Sequence, residues 1–298
     1  MIAFSANPLN RLSEKRADAA WIAERRRDGA ILPVWRLQPF LTGGKEAPAA
    51  GFLGAELVEP LAAPAAPCVF LGMDGERACF ALDISAAEDP AAPLAGLGQF
   101  RDLRAAAALL PAKDLAILGQ ARAMIDWHRR HGFCAKCGAP TVSAEAGYKR
   151  VCPSCQSEHF PRVDPAVIML ATHGDACLLG RNRKWVDFFS ALAGFVEPGE
   201  SIEETVRREL FEEANVRAGA VTYYASQPWP FPSQLMIGCF AQCESRELKL
   251  DPNELADAEW FTREKARALL AGGIEGRRGP MSFAIAHHLI REWAESQT

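Results

Sequence analysis

The stretch that decides the fold is rich in glutamate and reads GFVEPGESIEETVRRELFEEANV, residues 194–216. Ser201, followed three residues later by Glu204, forms a capping box that starts a helix directly after a Pro-Gly turn. The spacing predicts a helix over 202–214, and at about 100° per residue Glu209 and Glu213 fall on its apolar face. Two acidic side chains are therefore expected where a helix normally buries hydrophobic ones.

Like charges on an apolar face are costly unless something compensates them, and Glu212 adds a third acid at the edge of the same surface. Carboxylate oxygens are the ligands that Mg²⁺ and Mn²⁺ prefer, so the pattern predicts a divalent metal site. The alternative, a solvated acidic face, explains Glu203 and Glu204. It does not explain the angular positions of Glu209 and Glu213.

Upstream lies a cysteine quartet made of two Cys-x-x-Cys pairs, Cys134 with Cys137 and Cys152 with Cys155. This spacing is close to that of a zinc ribbon, and Gly138 permits a tight turn after the first pair. Four thiolates leave no open position for water, so the sequence predicts one structural Zn²⁺ per chain. A redox Cys-x-x-Cys, the alternative, needs one pair in a thioredoxin-like context that the sequence lacks.

The predicted ribbon carries basic residues, Lys136, Lys149 and Arg150, which would suit nucleic-acid docking. Glu145 and Glu158 reduce that basic character. A clamp between domains is therefore the expected role, with nucleic-acid docking as the alternative.

The composition and net charge of the chain limit the classes of function it can have. The chain has 298 residues, 49% of them hydrophobic and 23% charged, which is typical of a folded protein of about two domains. The formal net charge of −4 gives no general attraction for nucleic acid or an anionic membrane. We expect a cytoplasmic protein, because no secretory signal or membrane helix is evident and the cysteines outside the quartet suit reduced thiols.

The apolar spacing elsewhere predicts an α+β fold with a mixed or antiparallel sheet, because strands and helices do not alternate as in βαβ units. Pro111 divides a helical stretch from Asp102 to about Arg130 into two helices. Alanine- and proline-rich stretches at 46–67 and 86–96 are expected to be loops. Strands are expected at 68–72, 78–84, 166–172, 177–180, 221–225, 235–243 and 259–262, and helices at 263–270 and 282–295.

A proline-rich segment, SQPWPFPSQLM, follows at residues 226–236. Alternating prolines fix φ and predict a stiff loop that holds Trp229 and Phe231 out for stacking on a base. Taken alone, the segment is more typical of an edge loop whose aromatic side chains are buried for packing. Both interpretations remain open at this point.

Residues 194–216 resemble the Nudix box, G-x5-E-x7-R-E-U-x-E-E-x-G-U with U apolar. Asn215 stands where the family has Gly, and Asn tolerates the left-handed conformation needed there. The resemblance implies the Nudix α/β/α sandwich and hydrolysis of a nucleoside diphosphate linked to another moiety. The matching residues are Gly194, Glu200, Arg208, Glu209, Leu210, Glu212, Glu213 and Val216.

The same resemblance implies roles for the acidic residues. Glu209 and Glu213 would be ligands of Mg²⁺ or Mn²⁺, and Glu212 a ligand or a residue that helps activate water. Arg208 would fix Glu209, and Glu200 would support the loop or a second metal. The identity of the general base is left open. Further implied ligands are the carbonyl of Ala193 and the carboxylate of Glu254.

The proline-rich segment resembles the signature of the NADH pyrophosphatase subfamily, whose members carry an N-terminal domain and a zinc ribbon in this order. The resemblance covers the chain from about Asp102 to the end. It implies that Phe160 and Phe195 sandwich a substrate ring across a homodimer interface, although Phe160 and Arg104 would also suit ordinary packing or surface positions. The other implied substrate-binding residues are Gln227, Pro228, Trp229, Pro230, Phe231, Pro232, Ser233, Gln234, Ala286 and Arg104, with Arg101 as a rival to Arg104.

We therefore expect an N-terminal α+β domain at 1–131, a zinc ribbon at 132–160 and a Nudix hydrolase domain at 161–298. The expected activity is hydrolysis of NAD(H) to nicotinamide mononucleotide and AMP, with structural Zn²⁺ and catalytic Mg²⁺ or Mn²⁺. Removal of NAD caps from RNA uses the same bond. The alternatives are hydrolysis of ADP-ribose or a related nucleotide, and a non-catalytic zinc-ribbon protein that binds nucleic acid.

Overall fold

The computed structural model describes residues 2–184 and 186–296. The chain divides into two compact units. The first comprises Ala3–Arg162 and Trp229–Ser233, and the second comprises Val163–Pro228, Gln234 onward and Ile2. Within the described ranges, no helix is both long enough and apolar enough to span a bilayer.

The first unit is a mixed sheet with helices, followed by a small three-stranded sheet. Its helices are α1 Ala19–Arg27, α2 Ala55–Val58, α3 Leu103–Ala106 and α4 Ala112–Arg130. Its strands are β1 Ala30–Trp35, β2 Gln38–Thr42, β3 Ala49–Ala50, β4 Leu53–Gly54, β5 Cys68–Asp74, β6 Arg77–Asp83, β7 Gln99–Phe100, β8 Val142–Ala144, β9 Lys149–Val151 and β10 Glu158–His159.

The large sheet has the order β3-β2-β1-β6-β5, with β4 on β1 and β7 on β2. β1 and β6 are parallel neighbours at its centre. The small sheet has the order β10-β9-β8.

Helix α4 connects several parts of the first unit through polar side chains on its buried face. Asp114 accepts a hydrogen bond from the backbone N–H of Ala50 at 3.0 Å. Gln120 donates to the carbonyl of Leu71 at 3.2 Å, and its amide oxygen accepts from Asn7 at 2.7 Å. Because buried polar groups are costly without partners, these bonds fix the position of α4 on the sheet.

His128, near the end of α4, ties the helix to the small sheet. It is 2% exposed, and its Nε2 lies 2.8 Å from the carbonyl oxygen of Gly147. Its Nδ1 lies 2.9 Å from Nη1 of Arg150, which can only donate, so Nδ1 must carry a lone pair. Arg150 in turn donates to the hydroxyl and the carbonyl of Thr141. The arrangement requires a neutral imidazole, and burial lowers the pKa of His128 to about 4.

The second unit is a six-stranded mixed sheet between helices. The strands are β11 Asp164–His173, β12 Ala176–Asn182, β13 Leu192–Phe195, β14 Ala218–Trp229, β15 Gln234–Cys243 and β16 Leu255–Thr262; the helices are α5 Ile202–Ala214, α6 Arg263–Leu270 and α7 Ile285–Glu295. The order of the strands in the sheet is β14-β15-β11-β12-β16, with β13 on β11. β11 runs parallel to β15 and antiparallel to β12 and β13.

The side chains of β11 alternate between two cores, one on each face of the sheet. Val167 and Met169 pack with Val206 and Leu210 of α5. Ile168 and Leu170 pack on the other face with residues of α6 and α7, among them Leu269 and Leu289. Helices cover both faces, so the predicted α/β/α sandwich is confirmed.

Helix α5 has the predicted bounds, because both of its ends are fixed locally. Ser201 accepts from the N–H of Glu204, and the Glu204 carboxylate accepts from the N–H of Ser201, which completes the capping box. Such a cap contributes about 1 kcal/mol. Asn215 ends the helix with φ 58° and ψ 28°, so it adopts the left-handed conformation expected in place of Gly.

Three expectations need correction. The alanine- and proline-rich stretch 46–67 is not all loop, since it contains β3, β4 and α2. Helix α7 begins at Ile285 rather than at 282, because Ala284 closes a turn onto the carbonyl of Met281. β14 extends to Trp229, so Pro228 and Trp229 lie in a strand rather than in a loop. Proline is tolerated there because β14 is the edge strand of the sheet.

The neutral state of His128 gives a testable pH dependence. Its pKa is about 4 in the folded state against about 6.5 when unfolded, so the contribution to stability is complete above pH 6.5 and is lost as the pH falls towards 4. At about 1.4 kcal/mol per pKa unit, the loss is at most about 3 kcal/mol. Denaturation of the wild type and His128→Gln over pH 4–7.5 measures it, because Gln keeps a donor and an acceptor but does not titrate.

We expect a flatter dependence of the unfolding free energy on pH in His128→Gln. His173→Gln, at a half-buried histidine of the second unit, serves as the control. Equal slopes for the wild type and His128→Gln would contradict the account.

Candidate active site and zinc site

The candidate active site is organised by one arginine of α5. Arg208 binds Glu200 with two nitrogens, Nε at 2.6 Å and Nη2 at 2.9 Å. Its Nη1 donates to Glu209 at 2.8 Å and to Glu212 at 3.0 Å, and Nη2 also donates to the carbonyl of Phe195 at 2.9 Å. These carboxylates raise the pKa of Arg208 further above its usual value. One guanidinium thus holds three carboxylates and the end of β13 together.

Glu200 supports the loop between β13 and α5. Besides Arg208, its carboxylate accepts from the N–H of Glu197 at 3.0 Å and from the hydroxyl of the fully buried Thr205 at 2.9 Å. The hydrogen bonds from Arg208, with those from Glu197 and Thr205, lower the pKa of Glu200 to about 2. It is therefore ionised throughout the physiological range and holds the loop in place.

Glu213 lies in a different environment. It is 7% exposed, and burial together with the charges of Glu209, Glu254 and Glu212 raises its pKa to about 8. Burial also raises the pKa of Glu209. The exposed Glu254 is brought close because the carbonyl of Glu213 accepts from the N–H of Asp251 at 2.9 Å. Acids whose charged forms oppose one another are what a divalent cation would stabilise.

A cavity of about 240 Å³ opens beside Glu213. It lies within the second unit, between the ends of β12 and β13 and the helix that carries Glu213. Ala193, the implied carbonyl ligand, lines it, and so do the polar side chains of Asn182 and Ser190. The cavity therefore combines one acidic side chain with two polar ones, and small and apolar residues form the rest of its wall.

Gly194 shows how closely the glutamate face approaches the sheet. A Cβ at this position would overlap the carboxylate of Glu209, with its Cδ as the nearest atom. A side chain at position 194 would displace that carboxylate from its place against β13. The first glycine of the box thus lets the acidic side chain lie against the sheet, which the sequence alone does not show.

The donor set fits a divalent metal in chemistry, since Glu209, Glu212, Glu213 and Glu254 supply carboxylate oxygens and Ala193 a carbonyl. Among residues 2–184 and 186–296, one group of at least three His, Cys, Asp or Glu side chains has ligand atoms that all lie within 4.8 Å of one another. That group is the cysteine quartet and not the glutamates. The carboxylates interact through their charges but are spaced more widely. Binding of one metal ion by three of them would require these side chains to move closer together.

The four cysteines fit zinc in both chemistry and geometry. The Sγ atoms of Cys134 and Cys155 are 3.6 Å apart, and those of Cys137 and Cys152 are 3.5 Å apart. A backbone turn closes each pair, since the N–H of Gly138 donates to the carbonyl of Cys134 and that of Gln156 to Cys152, both at 2.9 Å. Gly138 and Gln156 have φ of 75° and 58°. Both pairs thus end in a left-handed residue, although the second pair uses a non-glycine.

Two of the four cysteine sulfurs have further polar contacts outside the quartet. His159 Nε2 lies 3.3 Å from Cys134 Sγ, and the N–H of Lys136 donates to the same sulfur at 3.4 Å. Ser157 Oγ lies 3.2 Å from Cys155 Sγ, and its hydrogen bonds lower the pKa of Cys155 to about 6. Hydrogen bonds that favour thiolate favour metal binding.

The part of the proline-rich segment predicted to bind substrate, Ser226–Gln234, is called the recognition segment below and is divided between the two units. Trp229 and Phe231 belong to the first unit, are half-buried, and have ring centres 5.3 Å apart. They do not project freely from a stiff loop, as one of the two interpretations expected, because both contact the ring of Phe4. Pro232 and Ser233 are half-buried in the connection, Pro230 is buried, Pro228 is exposed, and Gln234 starts β15.

Arg104, rather than its rival Arg101, contacts the recognition segment. Its guanidinium carbon lies 4.5 Å from the ring centre of Phe231 and 5.5 Å from that of Trp229. Arg101 is half-buried, and its Nη1 has no hydrogen-bond partner among the described residues. The geometry thus favours Arg104 for the predicted position.

Gln227 and Ala286 are brought together at the start of α7. The Gln227 side chain is fully buried; it donates to the carbonyl of Phe283 and accepts from the N–H of Ile285, each at 2.8 Å. Ala286 is 4% exposed and packs in the core under α7. The Gln227 amide therefore fixes the backbone beside Ala286.

Phe160 and Phe195 are exposed aromatic side chains, at 62% and 53%. Phe160 follows β10 in the first unit, and Phe195 ends β13 in the second. Their exposure suits stacking on a ligand, and the proposed sandwich stays a prediction.

Sequence reasoning missed several residues at these sites. Thr205 has no motif position of its own, although its place five residues after Glu200 is a signal that could have found it. Asn182 and Ser190 precede the box, and no motif in the sequence marks them as residues that line the cavity. Arg122 contacts the recognition segment from α4 and has no signature in the sequence.

Known proteins resemble this chain over most of its length. A NUDIX domain matches residues 161–281, an NADH pyrophosphatase-like rudimentary NUDIX domain matches 28–127, and an NADH pyrophosphatase zinc ribbon domain matches 129–160. The NAD-capped RNA hydrolase NudC of Mycobacterium bovis is 40% identical over 241 residues, which are 78% of this chain and 76% of the relative.

Two human relatives are also similar. The NAD-capped RNA hydrolase NUDT12 is 48% identical over 196 residues, 62% of this chain and 42% of the relative. The mitochondrial NAD(P)H pyrophosphatase NUDT13 is 42% identical over 214 residues, 67% of this chain and 61% of the relative. The match thus spans less than half of NUDT12.

The sandwich fold and the arginine-linked glutamate helix define a Nudix hydrolase fold. With the rudimentary N-terminal domain and the zinc ribbon, the chain belongs to the NADH pyrophosphatase subfamily of the Nudix hydrolases.

The quartet predicts a specific effect of zinc removal. We expect one zinc per chain by elemental analysis, and Cys152→Ser should abolish it and lower the melting temperature, because such a site contributes on the order of 10 kcal/mol to folding. Cys68→Ser, outside the quartet, is the control and should retain zinc. Active, stable protein that contains no zinc would contradict the assignment.

Proposed function

We propose that the protein hydrolyses the diphosphate bond of NAD(H) to give nicotinamide mononucleotide and AMP. The observation that carries the proposal is the acidic face of α5, where Arg208 holds Glu200, Glu209 and Glu212 and leaves the buried Glu213 beside a cavity. A purely structural helix has no reason to retain a buried acid with a raised pKa at such a place. A non-catalytic zinc-ribbon protein would not need this arrangement.

Each residue of this set has a separate role in the proposal. Glu209, Glu213 and Glu254, with the carbonyl of Ala193, would hold Mg²⁺ or Mn²⁺, and Glu212 is a further ligand or orients water. Bound there, the metal would neutralise diphosphate oxygens and favour hydroxide over water. Arg208 keeps the Glu209 carboxylate in position, and Glu200 keeps the preceding loop in place.

Substrate choice rests on the recognition segment and on the exposed rings of Phe160 and Phe195. Stacking on a flat base contributes about 1–3 kcal/mol for each ring. Relatives in the subfamily are described as NAD(P)H pyrophosphatase and NAD-capped RNA hydrolase, and both act on a dinucleotide with a nicotinamide end. This supports NAD(H) over ADP-ribose, which lacks that ring.

Removal of NAD caps from RNA is the second candidate function. It is supported by the relatives described as NAD-capped RNA hydrolases, one of them 40% identical over 78% of this chain. The same diphosphate bond would be cleaved, with the RNA chain attached to the adenosine. A homodimer and a cytoplasmic location complete the proposal, and the nine cysteines, all free of disulfides, are consistent with a reducing compartment.

A parallel assay tests the activity. Purified protein with Mg²⁺ or Mn²⁺ receives NADH, NAD⁺, ADP-ribose and NAD-capped RNA, and mass spectrometry identifies the products while kcat/KM is compared. Glu213→Gln should lower kcat by about a hundredfold or more, since electrostatic groups of this kind contribute several kcal/mol. Glu203→Gln, at an exposed position on the same helix, is the matched control and should be unaffected.

A folded Glu213→Gln enzyme with normal turnover would refute the metal-binding role. Higher kcat/KM for ADP-ribose than for any nicotinamide substrate would refute the choice of substrate and leave the diphosphate chemistry intact.

Phe160 gives a separate test of recognition. Phe160→Ala should lower kcat/KM for NADH roughly ten- to hundredfold, because a stacked ring is lost, and should affect ADP-ribose much less. Phe133→Ala is the control, since Phe133 is another exposed phenylalanine of the ribbon at 70%. Equal losses for both substrates would make Phe160 a packing residue.

A further inference from the structure

The tip of the recognition segment packs on the N-terminal end of the chain. Trp229–Ser233 belong to the same compact unit as residues 3–162. Phe4 is 4% exposed, and its ring lies edge-on to those of Trp229 and Phe231 at centre distances of 6.0 and 5.8 Å. Aromatic rings in such edge-to-face arrangements attract one another, so each restricts the rotation of the others.

Arg122 of α4 contacts two consecutive residues of the same tip. Its guanidinium carbon lies 4.8 Å from the ring centre of Phe231, and its Nη1 donates a hydrogen bond to the carbonyl of Pro230. The side chain is half-buried, where such interactions are less screened by water. One arginine therefore fixes a ring and the adjoining backbone together.

Gly119, on the same face of α4 three residues earlier, allows this approach. A Cβ on Gly119 would lie 2.8 Å from Cδ1 of Phe4 and 3.4 Å from Cγ of Pro230. Glycine is unfavourable in the middle of a helix, so its presence there suits a need for close contact. It marks the point where α4, the N-terminal end and the tip meet.

We propose that Arg122, Phe4 and Gly119 are positioning residues, which hold Trp229–Phe231 in the arrangement that binds substrate. Substrate then does not have to order the segment itself, and this lowers KM without acting on the chemical step. The inference rests on the proposed function, since it takes the segment to be the part that recognises the dinucleotide. It gives the N-terminal domain a role in substrate affinity.

The first test compares two arginines of one helix. Arg122→Met keeps an unbranched side chain but removes the donors and the charge, and Arg129→Met does the same at an exposed position of α4. We expect Arg122→Met to raise KM for NADH about tenfold with kcat changed less than about threefold, as for loss of preorganisation. Arg122→Lys should recover part of the affinity, and Arg129→Met should match the wild type.

The second test observes Trp229 directly. In protein labelled with 5-fluorotryptophan, the ¹⁹F resonance of Trp229 is assigned by its loss in Trp229→Phe. Arg122→Met and Gly119→Ala should each shift or broaden that resonance, while Arg129→Met leaves it in place. Gly119→Ala does this without removing a charge, and alanine favours the helix more than glycine does, so the variant separates positioning from electrostatic effects.

If the wild type is active and Arg122→Met leaves KM unchanged, this inference is wrong and the proposed function stands. The same holds if the Trp229 resonance stays in place in both Arg122→Met and Gly119→Ala. A wild-type protein that hydrolyses no dinucleotide overturns the proposed function, and this inference with it.

Discussion

The candidate active site depends on the ion-pair network of Arg208. Glu209 and Glu212 lie on α5 and Glu200 lies in the loop before it. Their carboxylates would repel one another, and a single guanidinium holds all three within hydrogen-bond distance. It separates the acids into two groups. Glu200 is ionised throughout the physiological range and supports the loop, whereas burial and the charges of Glu209 and Glu254 raise the pKa of Glu213. Support of the loop and the proposed metal binding are thus divided between Glu200, which precedes α5, and the acidic residues of α5.

Helix α4 has a comparable function in the first unit. Its polar side chains hold the sheet through Asp114 and Gln120, the ribbon through His128, and the recognition segment through Arg122. Each contact involves a different part of the chain. No catalytic motif is recognisable in the sequence of the N-terminal domain. Its longest helix nevertheless contacts both the zinc ribbon and the tip of the segment that is proposed to select substrate.

The sequence predicts those features that are determined by nearby residues. Both ends of α5 follow from Ser201, Glu204 and Asn215, and the zinc site follows from cysteine spacing. Contacts between distant residues could not be predicted. Phe4 meets Trp229 across more than two hundred residues, so packing of the recognition rings appears only in the fold. The overlap of a Gly194 Cβ with Glu209 likewise depends on how β13 lies against α5.

A Mn²⁺-soaked crystal examined by anomalous scattering at the manganese edge would test the central claim most directly, because it locates the metal without relying on turnover. The account predicts manganese peaks bound by the carboxylates of Glu209 and Glu213, with the Arg208 to Glu200 pair retained. It would be contradicted by crystals in which manganese binds elsewhere and these carboxylates keep only protein partners.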